Sequence, residues 1–128
     1  MLIPEPLPRE GVRVPLRAAF TGIKGVPLLA VAHNNAAPVL ELFRDTVRTR
    51  VIRAQRKPLS SIERVNCLRT VGTRNVEIIW RDSLFTFSGN VEDDDWLAAV
   101  LCFFRRCGVP LSDRARQYLD TVTNARPE

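Results

Sequence analysis

The chain has 128 residues, of which 45% are hydrophobic and 26% charged, a balance typical of a soluble globular domain and not of a disordered chain. A chain of this length can bury roughly two-thirds of its unfolded surface, which suits one domain. No window offers the roughly 20 apolar residues of a membrane-spanning helix. The net charge is +5 and 17 of the 19 cations are arginine. Because these charges are spread along the sequence, we interpret them as a solvated surface rather than a nucleic-acid-binding tract.

The cysteines and the N-terminal segment indicate the cellular compartment of the protein. Cys67, Cys102 and Cys107 form no C-x-x-C pair and leave one thiol over if two bridge. Residues 1–11 contain prolines at positions 4, 6 and 8 and acidic residues at Glu5 and Glu10, a composition that resembles neither a signal peptide nor a transit peptide. These features predict reduced thiols and a cytoplasmic protein.

The same proline-rich segment sets the domain boundary. Residues 1–11 cannot bury enough surface to order themselves, so we predict a flexible arm that is mobile or draped over the body. Residues 12–123 are predicted to form one domain, and residues 124–128 to fray.

The first half of the domain is predicted to consist mainly of strands. Val12–Phe20 is weakly strand-like, and Pro15 predicts an edge position because proline cannot donate to a ladder. Thr21–Gly25 is predicted to be a loop. Val26–Ala32 is an apolar run of strand length that ends at a polar stop, where His33 is expected to be a hydrogen-bonding loop residue.

A hairpin is predicted over Val39–Arg53, with its turn at Asp45–Thr46. Since successive side chains of a strand point to opposite faces, this register gives the hairpin one apolar, inward face. Its inward pairs are Leu42 with Thr49 and Leu40 with Val51.

The outer face of this hairpin carries a partly apolar strip flanked by arginines. The register places Glu41 opposite Arg50 as an exposed ion pair, and Phe43 opposite Arg48 in a cation–π contact. The strip is either covered by the N-terminal arm or available to a partner. Its apolar members are Val39, Phe43 and Ile52.

A basic stretch follows at Arg53–Pro58 and is predicted to be a loop. Its three cations, Arg53, Arg56 and Lys57, would suit an anionic head group or a phosphate, or they are simply solvated. Ser60–Val71 is the next predicted strand, with an irregularity near Glu63 where strict alternation breaks. Residues 72–75 are predicted to turn the chain.

The strongest pattern is a second hairpin, Val76–Val91, folded over Asp82–Ser83. This register places Ile78 opposite Phe87 and turns an aromatic face toward a core. The other face, which includes Glu77, Arg81, Thr86 and Ser88, is expected to meet solvent. The predicted core face consists of Val76, Ile78, Trp80, Phe85, Phe87 and Gly89.

Two helices are predicted to close the chain. Carboxylates at Glu92–Asp95 precede an apolar helix, Trp96–Cys107, and Gly108 is a natural stop. Its stripe contains Trp96, Leu97, Val100, Leu101, Phe103, Phe104 and Cys107, and we expect it to cover the aromatic face. A shorter helix follows, with Ser112 as its cap and Ala115, Leu119 and Val122 inward. Strands first and helix last is an α+β order.

No catalytic constellation accompanies these elements. His33 is the sole histidine, so a serine or cysteine nucleophile has one conventional base in the whole chain. Consecutive carboxylates at Glu92–Asp95 point in different directions on a helix, and the helix dipole explains them better than a metal does. We therefore predict no enzyme activity, no metal and no cofactor.

The sequence resembles the small bacterial pleckstrin-homology-like (PH-like) domains. Three pieces carry the resemblance: L-E-L-F-R-D-T-V-R-T-R-V-I at Leu40–Ile52, S-x-I-E-R-V at Ser60–Val65, and the hairpin leading into the helix at Val76–Phe104. It covers roughly Val26–Gly108. The resemblance implies a bent antiparallel sheet or partial barrel of five to seven strands, capped by a C-terminal helix, with a short second helix after it.

The resemblance also implies a binding scaffold rather than an enzyme. Eukaryotic relatives include phosphoinositide binders whose first hairpin carries a compact basic pocket. This chain departs from that pattern, because Gly22–Gly25 holds only Lys24. A protein- or peptide-binding module therefore fits better.

We predict that a protein or peptide binds to the open sheet of the first hairpin and its basic loop. Addition of a strand at a sheet edge is one mode, and self-association by the same edge is another. The alternative is electrostatic binding of an anionic membrane surface or nucleic acid. The predicted binding residues are Phe43, Arg48, Arg50, Arg53, Arg56 and Lys57.

Overall fold

The structure, a computed structural model, describes residues 2–70 and 72–125. Within these ranges, nine strands precede two helices, which confirms the predicted α+β order. The strands are β1 Val12–Arg13, β2 Leu16–Ile23, β3 Val26–Asn34, β4 Val39–Leu42, β5 Thr46–Arg50, β6 Ala54–Pro58, β7 Ile62–Thr70, β8 Thr73–Trp80 and β9 Phe85–Val91. The helices are α1 Asp94–Arg106 and α2 Asp113–Ala125.

The strands form two antiparallel sheets. The first sheet has the order β1-β4-β5-β6, and the second has the order β3-β2-β9-β8-β7. The strand count exceeds the predicted five to seven partly because Pro15 divides the stretch Val12–Phe20 into β1 and β2, which join different sheets. The prediction of an edge strand was wrong for β2, which lies between β3 and β9. Pro15 itself lies outside both strands, so it interrupts no ladder.

The β2–β3 hairpin is longer and tighter than expected. The predicted loop at Thr21–Gly25 was wrong, because β2 continues to Ile23 and β3 begins at Val26. Gly25 has a φ of +82°, the left-handed conformation that a two-residue hairpin turn needs and that glycine adopts without strain. His33 lies within β3 opposite Phe20 rather than in a loop.

The β8–β9 hairpin has the predicted register, since Ile78 lies opposite Phe87. Both residues are buried, and so is Trp80. The expected burial of Phe85 was wrong, because 54% of the residue is exposed. The prediction that Thr86 faces solvent was also wrong, since only 4% of this residue is exposed.

The β4–β5 hairpin is displaced by two residues from the predicted register. Leu42 lies opposite Val47 and Glu41 opposite Arg48, and the Phe43 N–H donates to the Thr46 carbonyl (2.9 Å). The turn therefore closes one residue earlier than predicted. A shift of two keeps every side chain on its face, so the predicted inward residues are buried: Leu40, Leu42, Thr49 and Val51.

The predicted basic loop is instead a strand. Ala54–Pro58 forms β6 and pairs with β5 along its whole length. A single 3₁₀ turn at Leu59–Ser61 then leads into β7. The predicted irregularity near Glu63 is confirmed by a register shift between Ile62 and Arg64.

The turn after β7 is also shorter than predicted. Thr70 lies directly opposite Thr73, so residues 73–75 belong to β8. Gly72 has a φ of +86° at this turn.

Helix α1 forms where it was predicted and Gly108 follows it, but it runs from Asp94 to Arg106 rather than from Trp96 to Cys107. The Asp93 carboxylate accepts the Trp96 N–H (2.9 Å), and Gly108 follows the helix with a φ of +80°. Cys107, expected in the apolar stripe, is exposed because the helix ends at Arg106. The buried stripe is Leu97, Val100, Leu101, Phe103 and Phe104.

Helix α2 begins as predicted at Ser112, whose hydroxyl accepts the Ala115 N–H (3.1 Å). It is as long as α1 rather than shorter, with 13 residues each. Ala115 and Leu119 are buried and Val122 is half-buried. The predicted fraying of residues 124–128 falls partly on residues 126–128, which lie outside the described residues.

Both sheets and both helices contribute to one core. Leu42 of the first sheet, Ile78 of the second and Phe104 of α1 are each fully buried and belong to the same cluster. Burial of a side chain of this size stabilises the fold by roughly 1.5–3 kcal/mol. The helices pack against β7, β8 and β9, so they cover the second sheet.

The N-terminal arm lies against the body of the protein. Ile3 and Leu7 are 2% and 5% exposed and belong to the core. The Arg44 guanidinium donates to the Leu7 carbonyl (2.9 Å). Gly11 ends the arm with a φ of +79°, and a Cβ there would lie 2.6 Å from the ring of Phe43, so only glycine fits.

Within the described part of the chain, neither helix reaches the length and apolar character that a membrane crossing requires.

Candidate functional site

The outer face of the first sheet carries most of the predicted binding residues. The ladders place Arg13, Glu41, Arg48 and Arg56 in one row across all four strands. Arg50 follows Arg48 on the same side of β5, two residues along. We call this surface the basic face; it consists of Arg13, Glu41, Phe43, Arg48, Arg50 and Arg56.

Glu41 is the only acidic residue of this row. Its carboxylate accepts a hydrogen bond from Nη1 of Arg48 (2.5 Å) and lies 3.6 Å from Nε of Arg13. The predicted pair of Glu41 with Arg50 was wrong, because the two-residue shift puts Arg48 in that place. One carboxylate thus holds two guanidinium groups.

Phe43 has an arginine over its ring, although not the predicted one. The guanidinium of Arg56 lies 3.9 Å from the ring centroid, a cation–π contact. Arg48 was expected there, but β6 brings Arg56 closer. Arg48 and Arg56 also lie directly opposite each other, and like charges in that relation repel. Glu41 on one side and Phe43 on the other offset that repulsion.

The other three predicted binding residues, Arg50, Arg53 and Lys57, lie in different places. Arg50 is exposed on the basic face, and Arg53 is exposed in the turn between β5 and β6. Neither side chain has an ion pair or hydrogen bond with any residue in the ranges 2–70 and 72–125. Lys57 points away from the face, because its Nζ contacts Asp82 Oδ1 (3.0 Å) and lies 4.7 Å from the centre of the Trp80 ring. The hydrogen bond from Lys57 lowers the pKa of Asp82.

The basic face has two properties of a docking surface. Its arginines outnumber its single carboxylate by four to one, so it attracts anionic groups. Strand β6 is also the last strand of its sheet, and an edge strand has backbone groups free to pair with an added strand.

A second candidate site lies on the outer face of the second sheet, the face that does not pack against α1. Here the strands enclose a cavity of about 610 Å³, which is within the range of small-molecule sites. We call it the outer groove. Phe20 and Ile79 give it an apolar floor, and Arg64 and Arg114 line it as well.

Among the residues that the structure describes, Glu77 is the one carboxylate that lines the outer groove. It lies between Asn66 of β7 and Ser88 of β9 in the ladder. Its carboxylate accepts only a long hydrogen bond, from Nδ2 of Asn66 (3.4 Å). No cation among the described residues forms an ion pair with it, unlike Glu41.

Two further polar atoms of the groove residues have no hydrogen-bond partner among the described residues. They are Oδ1 of Asn75 and Oγ1 of Thr86, and both are buried. A buried polar atom left without a partner costs about 1–3 kcal/mol. Both residues line the groove.

Cations line the rim of the groove. Arg64 of β7 and Arg114 of α2 are both exposed, and neither has an ion pair within residues 2–70 and 72–125. Lys24 binds Glu63 at 3.0 Å, and this hydrogen bond lowers the pKa of Glu63. The groove therefore combines one inner carboxylate with two unpaired arginines.

A smaller cavity of about 340 Å³ opens between the two sheets. Ile52 and Phe85 line it and are 73% and 54% exposed, while Trp80 lies behind them. Phe85 shares its face with core residues but lies at this open cavity rather than within the core. This position explains why the alternation of the sequence overestimated its burial.

The nucleophiles and the histidine do not assemble into a reactive group among the described residues. The His33 ring lies 6.4 Å from that of Phe20. Burial raises the pKa of the Cys67 thiol, and partial burial raises that of Cys107. No three metal-ligating side chains come together in the described part of the chain.

Comparison of the sequence with models of known protein families and with curated proteins finds no significant match.

Proposed function

We propose that this protein is a non-enzymatic binding module of the PH-like type that binds an acidic, extended segment of a partner protein. The observation that carries the proposal is the basic face, where four arginines surround one carboxylate on a sheet face that α1 and α2 do not cover. Arg50 and Arg56 are exposed there. Their charge is complementary to glutamate and aspartate side chains.

The free edge of β6 supplies the geometry of this interaction. A segment added to β6 as a further strand forms main-chain hydrogen bonds, which give affinity without a defined sequence. Every second side chain of that strand lies on the basic face. Acidic residues at those positions reach Arg56 first and Arg48 next.

Two further observations support a binding module in the cytoplasm. The features that distinguish the outer faces of the two sheets are their exposed charges and the shape of the groove. The three cysteines are unbridged, which fits a reducing compartment.

A synthetic peptide tests the proposal. A fluorescent decapeptide in which glutamate alternates with valine should bind the wild-type protein, and its counterpart with glutamine for glutamate should bind at least tenfold more weakly. Fluorescence anisotropy gives both dissociation constants. The double variant Arg50→Glu/Arg56→Glu should also weaken binding of the acidic peptide at least tenfold, which corresponds to about 1.4 kcal/mol.

Arg116→Glu provides the matched control for charge. Arg116 lies on α2, which packs on β7 and α1 rather than on the first sheet, so this variant should bind as the wild type does. Equal affinity for the two peptides, or equal loss in Arg116→Glu, would refute the proposal. Tight binding of phosphatidylserine vesicles or duplex DNA that falls steeply with salt, with no peptide binding, would establish the electrostatic alternative instead. Self-association by the β6 edge would appear as a dimer in light scattering, and the acidic peptide should dissociate it.

A further inference from the structure

We infer that the outer groove is a second binding site, for a small zwitterion the size of a dipeptide. In this arrangement the ligand ammonium lies at Glu77 and its carboxylate lies at Arg64 and Arg114. The site is on the other sheet from the basic face and does not depend on the proposed function.

The ammonium end is assigned from Glu77 and Asn75. A half-buried carboxylate with one long hydrogen bond attracts a cationic donor, and no other carboxylate of the described ranges lines the groove. Asn75 lies two residues away on the same side of β8, and its Oδ1 is a buried acceptor without a partner in the described residues. An ammonium group has three N–H donors, so one ammonium can satisfy both acceptors.

The carboxylate end is assigned from the two arginines. Arg64 and Arg114 come from different elements, β7 and α2, yet line the same cavity. Guanidinium groups bind carboxylates with charge-assisted, often bidentate hydrogen bonds. Since neither arginine has an ion pair in the described part of the chain, no internal carboxylate competes with the ligand.

The ladder sets the length of the ligand. Arg64 lies directly opposite Ile79, two residues beyond Glu77 on β8. At about 3.4 Å per residue, the two charged positions are separated by roughly 7 Å along the strand. An extended dipeptide spans about the same distance, at most roughly 3.3–3.6 Å per residue, whereas a single amino acid is too short.

The floor of the groove indicates which dipeptides fit. Ile79 lies beside the arginine end and Phe20 lies across the sheet, and both are at the cavity surface. An apolar side chain on the C-terminal residue of the ligand covers this floor and removes it from water. Alanyl-phenylalanine has the required charges, length and side chain, so it is the probe of choice.

Isothermal titration calorimetry with alanyl-phenylalanine tests the inference. The wild-type protein should bind it, and N-acetylation or C-terminal amidation of the dipeptide should each weaken binding at least tenfold. Free phenylalanine should bind at least tenfold more weakly too, because it cannot reach both ends. In Glu77→Gln, acetylation of the dipeptide should no longer change its dissociation constant. In Arg64→Gln/Arg114→Gln, amidation of the dipeptide should no longer change its dissociation constant.

Exposed residues away from the groove provide matched controls. Glu92→Gln and Arg81→Gln remove the same charges from exposed positions that do not line the cavity, and both should keep the wild-type affinity and its dependence on the two termini. The inference is overturned if alanyl-phenylalanine does not bind, if the blocked forms bind equally well, or if Glu77→Gln leaves the acetylation effect unchanged. Because Arg50→Glu/Arg56→Glu leaves the groove intact, its affinity for alanyl-phenylalanine should be unchanged, which separates failure of this site from failure of the basic face.

Discussion

The outer faces of the two sheets each contain one central glutamate, and the two glutamates have opposite surroundings. Glu41 lies in a row with three arginines and holds two of them. Glu77 lies in a row with Asn66 and Ser88 and has no ion pair among the described residues. Neighbouring arginines thus neutralise the glutamate of the first sheet, whereas the glutamate of the second sheet has no counter-charge among the described residues.

The role of an outward-facing charge depends on the residues beside it in the ladder, which the register decides. A glutamate that holds two arginines together serves the fold of the protein. A glutamate without a counter-charge, beside a cavity, is free to bind a ligand.

The largest expected effect tests whether the two sheets are one unit. Leu42→Ala and Ile78→Ala each remove a fully buried side chain, one from each sheet, and each should lower the free energy of unfolding by about 2–5 kcal/mol. Because both residues belong to one core cluster, urea unfolding should remain a single transition in both variants. Circular dichroism and tryptophan fluorescence measure it, and two separate transitions in either variant would show that the sheets unfold independently.

A smaller effect tests the two glutamates directly. Glu41→Gln removes the charge that holds Arg13 and Arg48, so it should lower the free energy of unfolding by about 1 kcal/mol. Glu77→Gln removes a charge that has no ion pair among the described residues and should change stability by less than about 0.5 kcal/mol. Denaturant titration of both variants at low salt gives the comparison. Equal losses would show that Glu77 has a structural role that its contacts do not reveal.

The smallest effect concerns Asp94, the first residue of α1, which joins the helix to the second sheet. Partial burial works to raise its pKa, but Arg74 and Arg69 hydrogen-bond to its carboxylate and lower the pKa overall. A carboxylate with a lowered pKa in the folded state contributes stability above its unfolded pKa, near 3.9, and this contribution is lost as the pH falls through the folded value. Asp94→Asn should therefore cost up to about 1 kcal/mol at pH 7.

The pH dependence provides the check on this last prediction. The difference in stability between wild type and Asp94→Asn should stay constant from pH 7 to pH 5 and shrink below about pH 4. Asp113→Asn, the equivalent change at the first residue of α2, should have a smaller effect because its side chain is 83% exposed and its ion-pair partner is one arginine. A difference that grows on acidification would contradict the assigned role of Asp94.

The sequence predicted the α+β order, the position of α1 and the register of the β8–β9 hairpin. All three depend on local signals: the carboxylates before Trp96, the glycine after the helix, and the alternation of Ile78 and Trp80 with Phe87. The β4–β5 register was wrong by two residues because several polar residues around Asp45 can form the turn. The inward face was still predicted, since a shift of two preserves alternation.

The outer groove could not be predicted from local signals. Alternation placed Glu77 and Thr86 on a face that was taken to be solvent-exposed, and nothing in one strand shows that five strands curve around a cavity. One signal was present: Phe20 and Ile79 are apolar residues at outward positions of β2 and β8. The basic face was predicted in part, but strand β6 rather than a loop brings Arg56 to Phe43 and turns Lys57 away.

The buried anchors of the N-terminal arm bear on how the chain can be shortened. Ile3, Leu7 and Gly11 recur every four residues, and each fits against the body through burial or close contact. A version of the protein that starts at residue 12, the limit suggested by composition, would lack two side chains of the core and uncover the surface beneath them. Proline richness at a terminus is therefore a poor guide to trimming this protein, and residues 2–11 belong with the domain in any expressed fragment.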